Sequence, residues 1–443
     1  MRPYESYVYA YPHKTAYRPL DPRPRLKEVW AGERPGALYV HIPFCEMRCG
    51  FCNLFTRTGA PDELVTTYLD ALERQAEQAR EALQETGFTT AAFGGGTPTY
   101  LGAGQLARLF DLTERTMGVD LARIPLSVET SPATATPDRL SVLAGRGTSR
   151  ISIGVQSFVP EEARSAVRPQ KRAEVDAALD AIRASGVPVL NIDLIYGIDG
   201  QTPRSWLYSL DTALGWRPEE LYLYPLYVRP LTGLGKQGRA WDDQRLELYR
   251  TGRDHLLAAG YEQVSMRMFR LPGTTTGTTT DAITGTSTDA TTGTSTGAAD
   301  YCCQTDGMVG LGCGARSYTS ALHYSFDYAV GARHVRSIID EYVTQTDFTT
   351  ANVGFTLSPG ERRRRHLIQS LLRAEGMSRS LYADRFGTDV LDDFPLATTF
   401  ADWLTITDTT ITLTPEGLAY SDAIGPALFS PQVRALMDGY EAC

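Results

Sequence analysis

Between residues 37 and 260, six short apolar or β-branched runs alternate with helical patterns. The runs are Leu38 to Ile42, Thr89 to Phe93, Pro125 to Glu129, Ile151 to Val155, Val187 to Leu194 and Leu221 to Tyr224. Parallel strands cannot be joined by a hairpin and need a crossover of a dozen or more residues, so this alternation predicts parallel βα units. Between the first two runs, Leu64, Tyr68, Leu72, Ala76, Ala79 and Leu83 recur at helical spacing, with Gly87 as a stop. That stripe would cover a sheet. Thr136-Pro137 supplies an N-cap and a first-turn proline for another crossover helix, which Gly145 or Gly147 can end. The expected fold class is α/β, an open or partial (β/α)6 barrel.

A chain of 443 residues exceeds one ordinary domain. We divide it into an N-terminal segment (1–36), the barrel (37–260), a barrel extension (261–354) and a C-terminal unit (355–443). Residues 273–299 are almost wholly Thr, Gly, Ser, Asp and Ala, a composition that cannot bury a core, and read as a disordered surface insertion. Its flanks, Ser265 to Arg270 and Tyr301 to Tyr318, read as adjacent strands split by the insertion. The last unit, with a basic helix at Glu361 to Leu372 and a hairpin at Leu404 to Leu413, reads as winged-helix-like. Arg362 to Arg365 invite a DNA-binding reading, but four arginines on a helix are more often a solvated face. A net charge of −9 gives no global attraction for phosphate backbones, so no nucleic acid is expected as partner. No apolar run is long enough to span a bilayer, and Met1 to Tyr7 lack the apolar core of a secretory signal. The expected location is cytoplasmic.

The seven cysteines are 45, 49, 52, 302, 303, 313 and 443, an odd and clustered set that does not suit a disulfide framework. Cys45, Cys49 and Cys52 follow the first strand with C-x3-C-x2-C spacing, so one loop can wrap three thiolates around one centre. Soft thiolates suit an iron–sulfur cluster or zinc. Structural zinc takes four protein ligands, and no fourth is visible nearby. Iron–sulfur is therefore the first reading, with zinc and structural thiols as alternatives. Cys302, Cys303 and Cys313 could hold a second cluster, donate hydrogen to a radical, or simply be buried thiols.

The motif His41-Ile42-Pro43-Phe44-Cys45 is followed in order by Phe93-Gly94-Gly95-Gly96-Thr97-Pro98-Thr99, Glu129, Arg150 to Phe158 and Asn191-Ile192-Asp193-Leu194-Ile195-Tyr196-Gly197. In this the chain resembles the radical S-adenosylmethionine (SAM) superfamily, and within it the oxygen-independent coproporphyrinogen III oxidase-like family. The resemblance implies a partial (β/α)6 radical SAM barrel with a C-terminal winged-helix-like domain. It implies a [4Fe–4S] cluster on Cys45, Cys49 and Cys52, and SAM in one copy or two. Gly95, Gly96 and Thr97 would line the methionine end of SAM, Glu129, Gln156 and Asp193 would accept or share hydrogen bonds with it, Tyr39 and Phe51 would pack beside it, and Arg168 would contact its polar end. Reductive cleavage of SAM to a 5′-deoxyadenosyl radical would abstract hydrogen from a small organic or tetrapyrrole-type substrate, with flavodoxin or ferredoxin as electron donor.

Two departures bear on the reaction. Family oxidases carry a further cysteine after the third cluster cysteine, where this chain has Asn53-Leu54-Phe55. The heme-chaperone branch carries a histidine before a glycine-rich run, where this chain has Tyr301-Cys302-Cys303-Gln304 ahead of Gly310 to Ala315. Oxidative decarboxylation, methyl transfer or cyclopropanation, and heme carriage by a chaperone-like protein all stay open. Tyr11, His13 and Lys14 of the N-terminal segment are candidates for substrate contact, with an aromatic strap on the barrel wall as the alternative.

Overall fold

The computed structural model describes residues 1–229, 231–235, 244–274 and 304–441. The six runs form six parallel strands in chain order: β1 (Ala37–Ile42), β2 (Thr90–Gly95), β3 (Leu126–Thr130), β4 (Arg150–Gln156), β5 (Val189–Tyr196) and β6 (Glu220–Pro225). Each predicted run lies within a few residues of its strand. They belong to one sheet of thirteen strands, which among the described residues does not close into a barrel.

Along these strands side chains alternate. Leu38, Val40, Ile42, Val128, Ile151, Ile153, Ile192 and Leu221 are fully buried, facing the helices. Tyr39, His41, Glu129, Arg150, Ser152, Asp193 and Tyr222 occupy the other face. Parallel strands covered on both sides are usually apolar throughout, so this polar alternate face marks a functional interior.

Helix α1 (Asp62–Ala82) follows β1. It starts with Asp62 and Glu63, whose charges suit a helix N-terminus. It buries Val65, Tyr68, Leu69, Leu72, Ala76 and Ala79, each large side chain contributing about 1.5–3 kcal/mol of transfer free energy. The Tyr68 hydroxyl donates to the His41 carbonyl at 2.8 Å, tying the helix to β1.

The flanks of the Thr/Gly-rich segment are not adjacent. Strand β7 (Met268–Arg270) pairs antiparallel with β6, whereas β8 (Met308–Leu311) pairs parallel with β1, on the far side of the sheet. The parallel core thus has seven strands, and β8 extends it through an antiparallel series, β9 (Arg316–Tyr318), β10 (Leu322–Ser325) and β11 (Val353–Thr356). The insertion beyond residue 274, together with Cys302, Cys303 and Cys443, lies outside the described residues.

At the C-terminal end, helix α2 (Pro359–Leu371) packs on a three-stranded sheet in the order Met377–Ser378, Thr410–Leu413, Leu404–Ile406. Its core includes Leu367, Ile368, Leu371, Tyr382 and Ile411, together with Tyr11, Ala16 and Tyr17 from the N-terminal segment. Three of the four arginines of α2 are engaged within the protein and are not a solvated face. Arg363 pairs with Asp393 at 2.9 Å, Arg364 donates to the Leu428 carbonyl at 2.6 Å, and Arg365, 3 % exposed, pairs with Asp306 at 3.0 Å. Among the described residues no helix is long and apolar enough to cross a membrane.

Candidate metal centre and cofactor site

The three cysteines leave β1 on a loop that the glycine strand holds. Gly96 N–H donates to the Ile42 carbonyl and Thr97 N–H to the Phe44 carbonyl, both at 2.8 Å. The loop is pinned again where Gly50 N–H donates to the Ala166 carbonyl at 3.1 Å and Leu234 N–H donates to the Gly50 carbonyl at 2.8 Å. A Cβ on Gly96 would lie 2.6 Å from the Phe44 oxygen and 3.0 Å from Cys45 Sγ, so only glycine leaves the space beside that thiol open.

Each thiol has a polar neighbour. Cys45 Sγ is 3.4 Å from the Thr97 hydroxyl, and Cys52 Sγ is 3.8 Å from the Thr56 hydroxyl. Arg168 Nη1 donates to Cys49 Sγ at 3.0 Å, and its Nη2 donates to the Gly154 carbonyl at 2.6 Å. Burial pushes the Cys45 thiol up to about 12 and raises that of Cys52. Thiols held protonated in this way release protons when a metal centre takes them as thiolates.

Among the described residues no three His, Cys, Asp or Glu side chains are grouped to hold a single metal ion. A cuboid cluster spreads its ligand sulfurs around its corners instead of gathering them on a point. Three thiols, an arginine beside one of them and a glycine-lined space beside another fit such a cluster.

The expected SAM residues gather at the carboxyl ends of the same strands. Gly95 N–H donates to Glu129 Oε2 at 3.1 Å across β2 and β3. Asp193 accepts from Asn191 Nδ2 at 2.6 Å and from the Ser152 hydroxyl at 3.3 Å. Burial pushes the Glu129 carboxyl up to about 7, with Asp193 adding repulsion, and pushes Asp193 up to about 6 against the pull of Arg150. Gln156 adopts a left-handed φ of 70° at a register shift between β4 and β5, a conformation that non-glycine residues seldom hold away from functional sites. Tyr39 lines the interior, and Phe51 packs on the far side of the loop with Tyr224 and Leu234 against Ile195 and Leu226.

His41 is a residue that motif reading quotes but does not place in the site. Burial pushes it down to about 4, so the ring is neutral. Its Nε2 is 3.1 Å from the Phe55 carbonyl and its Nδ1 is 3.3 Å from the Tyr39 hydroxyl. A neutral ring donates to the first and accepts from the second. It thereby anchors the chain just after Cys52. A Cβ on Gly95 or Gly314 would lie within 2.6 Å of this ring, which explains two glycines far apart in sequence.

The N-terminal segment divides. Tyr11 is fully buried in the C-terminal core, its hydroxyl donating to Glu361 and accepting from Ser430 N–H at 3.3 Å. Of the two readings offered for it, substrate contact or a packed aromatic strap, this burial favours packing. His13 bonds to the Thr15 hydroxyl at 2.8 Å. Lys14 alone of the three lines a cavity of about 120 Å³ that also reaches Tyr39, His41, Gly95 and Glu129. Cys313 is buried at the wall of that cavity.

The profile of the radical SAM superfamily matches residues 39–213. Over 246 residues the chain is 32 % identical to the oxygen-independent coproporphyrinogen III oxidase of Salmonella typhimurium, a match covering 54 % of this chain and 53 % of that protein. Over 241 residues it is 30 % identical to the heme chaperone HemW of Bacillus subtilis, covering 53 % and 63 % respectively. The matched region is thus about half the length of these relatives. The structure of coproporphyrinogen III oxidase (HemN) from Escherichia coli superposes with a TM-score of 0.72 at 24 % identity, covering 94 % of this chain and 92 % of that one, which shows a shared fold.

Proposed function

Since the chain carries a radical SAM domain homologous to those of oxygen-independent coproporphyrinogen III oxidases and HemW heme chaperones, we propose that it is a radical SAM enzyme holding a [4Fe–4S] cluster on Cys45, Cys49 and Cys52. The observation that carries this reading is the three-thiol loop locked against Gly96 and Thr97, with Arg168 donating to Cys49. When bound, the cluster and SAM supply reductive carbon–sulfur cleavage and hydrogen abstraction from a small organic or tetrapyrrole-type substrate.

The chain's own residues bind and orient. Gly95, Gly96 and Thr97 present backbone close to the ligand. Glu129 and Asp193 accept from an amine or ribose hydroxyls, and Gln156 both donates and accepts. Arg168 offsets thiolate charge at Cys49, and His41 fixes the loop beyond Cys52. In this reading residues 37–260 form the catalytic barrel, 261–354 its extension and 355–443 a winged-helix-like cover.

The test is anaerobic reconstitution, iron and sulfide analysis, and EPR of the dithionite-reduced protein with and without SAM, beside a Cys45, Cys49 and Cys52 triple-alanine variant. We expect about four irons per chain, absent from the variant, with an EPR signal that shifts on adding SAM. Zinc without iron, or a signal indifferent to SAM, would overturn the proposal.

A further inference from the structure

The cavity beside the three-thiol loop is lined by charged groups of both signs. Glu129, Lys14 and Arg316 all line it. Lys14 Nζ lies 3.4 Å from the centroid of the Tyr328 ring, a cation–π contact. The Arg316 guanidinium stands 4.8 Å from the Tyr9 ring centroid, and its Nη1 donates to the Tyr9 hydroxyl at 2.8 Å, but its Nε, buried, has no partner. Arg229 is in the same state, with one long bond to the Ser6 hydroxyl at 3.4 Å and a buried Nε without a partner.

Among the described residues none of these three cations forms an ion pair with a carboxylate. Asp327, also on the cavity wall, is exposed, and Glu129 already accepts from Gly95. Elsewhere in the chain buried arginines are neutralised, as Arg150 is by Glu220 and Arg267 by Asp422. Burial holds the Lys14 ammonium well below its usual range, and Arg316 and Arg229 press it down further. Unpaired cations gathered around a cavity are costly in the empty protein, and an anion supplied from outside offsets that cost.

We propose that Lys14 and Arg316, supported by the field of Arg229, form a subsite for a carboxylate of the substrate. Charge-assisted recognition of a carboxylate uses an arginine fork or a lysine point charge, and this cavity wall carries one of each. This deepens the function proposed above and rests on it for the identity of the bound molecule as substrate. It leaves Glu129 for an amine or hydroxyl donor.

The test titrates glutarate, and glutaramide as its uncharged analogue, into the full-length reconstituted protein by calorimetry, with Lys14→Met, Arg316→Gln and Lys14→Arg variants. Expected is saturable binding of glutarate but not glutaramide, weakened about tenfold or more in Lys14→Met and Arg316→Gln, as loss of one charge-assisted contact implies, and retained in Lys14→Arg. Equal binding by all four proteins, or none by the wild type, would overturn the subsite. SAM affinity is measured in the same variants. A tenfold loss there would assign the cations to the carboxylate of SAM and overturn the substrate assignment. Glutarate binding needs no cluster, so a protein without iron that still binds it loses the proposed function and keeps the site, whereas one that cleaves SAM but binds no glutarate does the reverse.

Discussion

Glu129 and Asp193 keep carboxyl groups deep in the sheet interior, where burial raises them to about 7 and about 6. A carboxyl whose folded pKa lies above its unfolded value contributes stability that is present at low pH and is lost as pH rises through the folded value. We therefore expect Glu129→Gln to leave the denaturation midpoint of the ligand-free protein almost unchanged at pH 4 and to raise it at pH 8. The gain should be about 1 kcal/mol, less than full charge burial would give, because the carboxylate faces open space in the cavity. A variant no more stable than wild type at pH 8 would show that water already solvates the charge. The thiols, Glu129 and Asp193 were legible because each sits at or near the end of a strand within a recognisable run. Arg316 and Lys14 were harder to read as a pair, since 302 positions of sequence separate two residues that only the fold brings to one cavity. The signal available for the remaining interior residues was the period-two polarity of strands that should have been apolar on both faces, as in Arg150, Ser152 and Gly154 beside Ile151, Ile153 and Val155.

The α2 arginines show how far element-level pattern reading reaches. A run of four like charges looks the same whether it meets solvent, phosphate or buried acceptors, and only the positions of Asp306, Asp393 and Leu428 decide. Arg365 also donates to the Tyr11 carbonyl at 2.9 Å and to the Gln304 carbonyl at 2.7 Å. Replacing Arg365 by alanine should therefore lower stability by about 3 kcal/mol, the scale of a broken buried pair, as read by chemical denaturation. A loss under about 0.5 kcal/mol would return the residue to the surface class. The six βα strands were recovered because each is a short apolar or β-branched run set between helical patterns. The side of the sheet on which β8 lies was not, because a short apolar run carries no mark of which edge it will join, and nearness in sequence to β7 suggested the wrong one.

On the scale of the whole molecule, the N-terminal segment and the C-terminal unit converge on one buried acid. Asp422 pairs with Arg267, accepts from the Tyr227 hydroxyl at 2.6 Å, and offers its carbonyl to the backbone N–H groups of Glu5 and Ser6 at 3.3 and 3.1 Å. Asp422→Asn keeps the shape and strands the Arg267 charge. It should lower stability by about 3 kcal/mol and speed amide exchange in residues 4–17 more than in β1 to β6. Uniform exchange across both regions would show that the junction does not hold the segment. Tyr11 has a further consequence. Its hydroxyl meets Glu361 and Ser430, and its ring lies against Phe429 at a centroid distance of 5.1 Å. On the ribosome, the segment bearing Tyr11 and Lys14 is made before the six strands, yet its berth is complete only after residue 430 has been made. Until then the three cysteines stand on a sheet whose last wall has not been hung, and the order of translation itself leaves the doorway open.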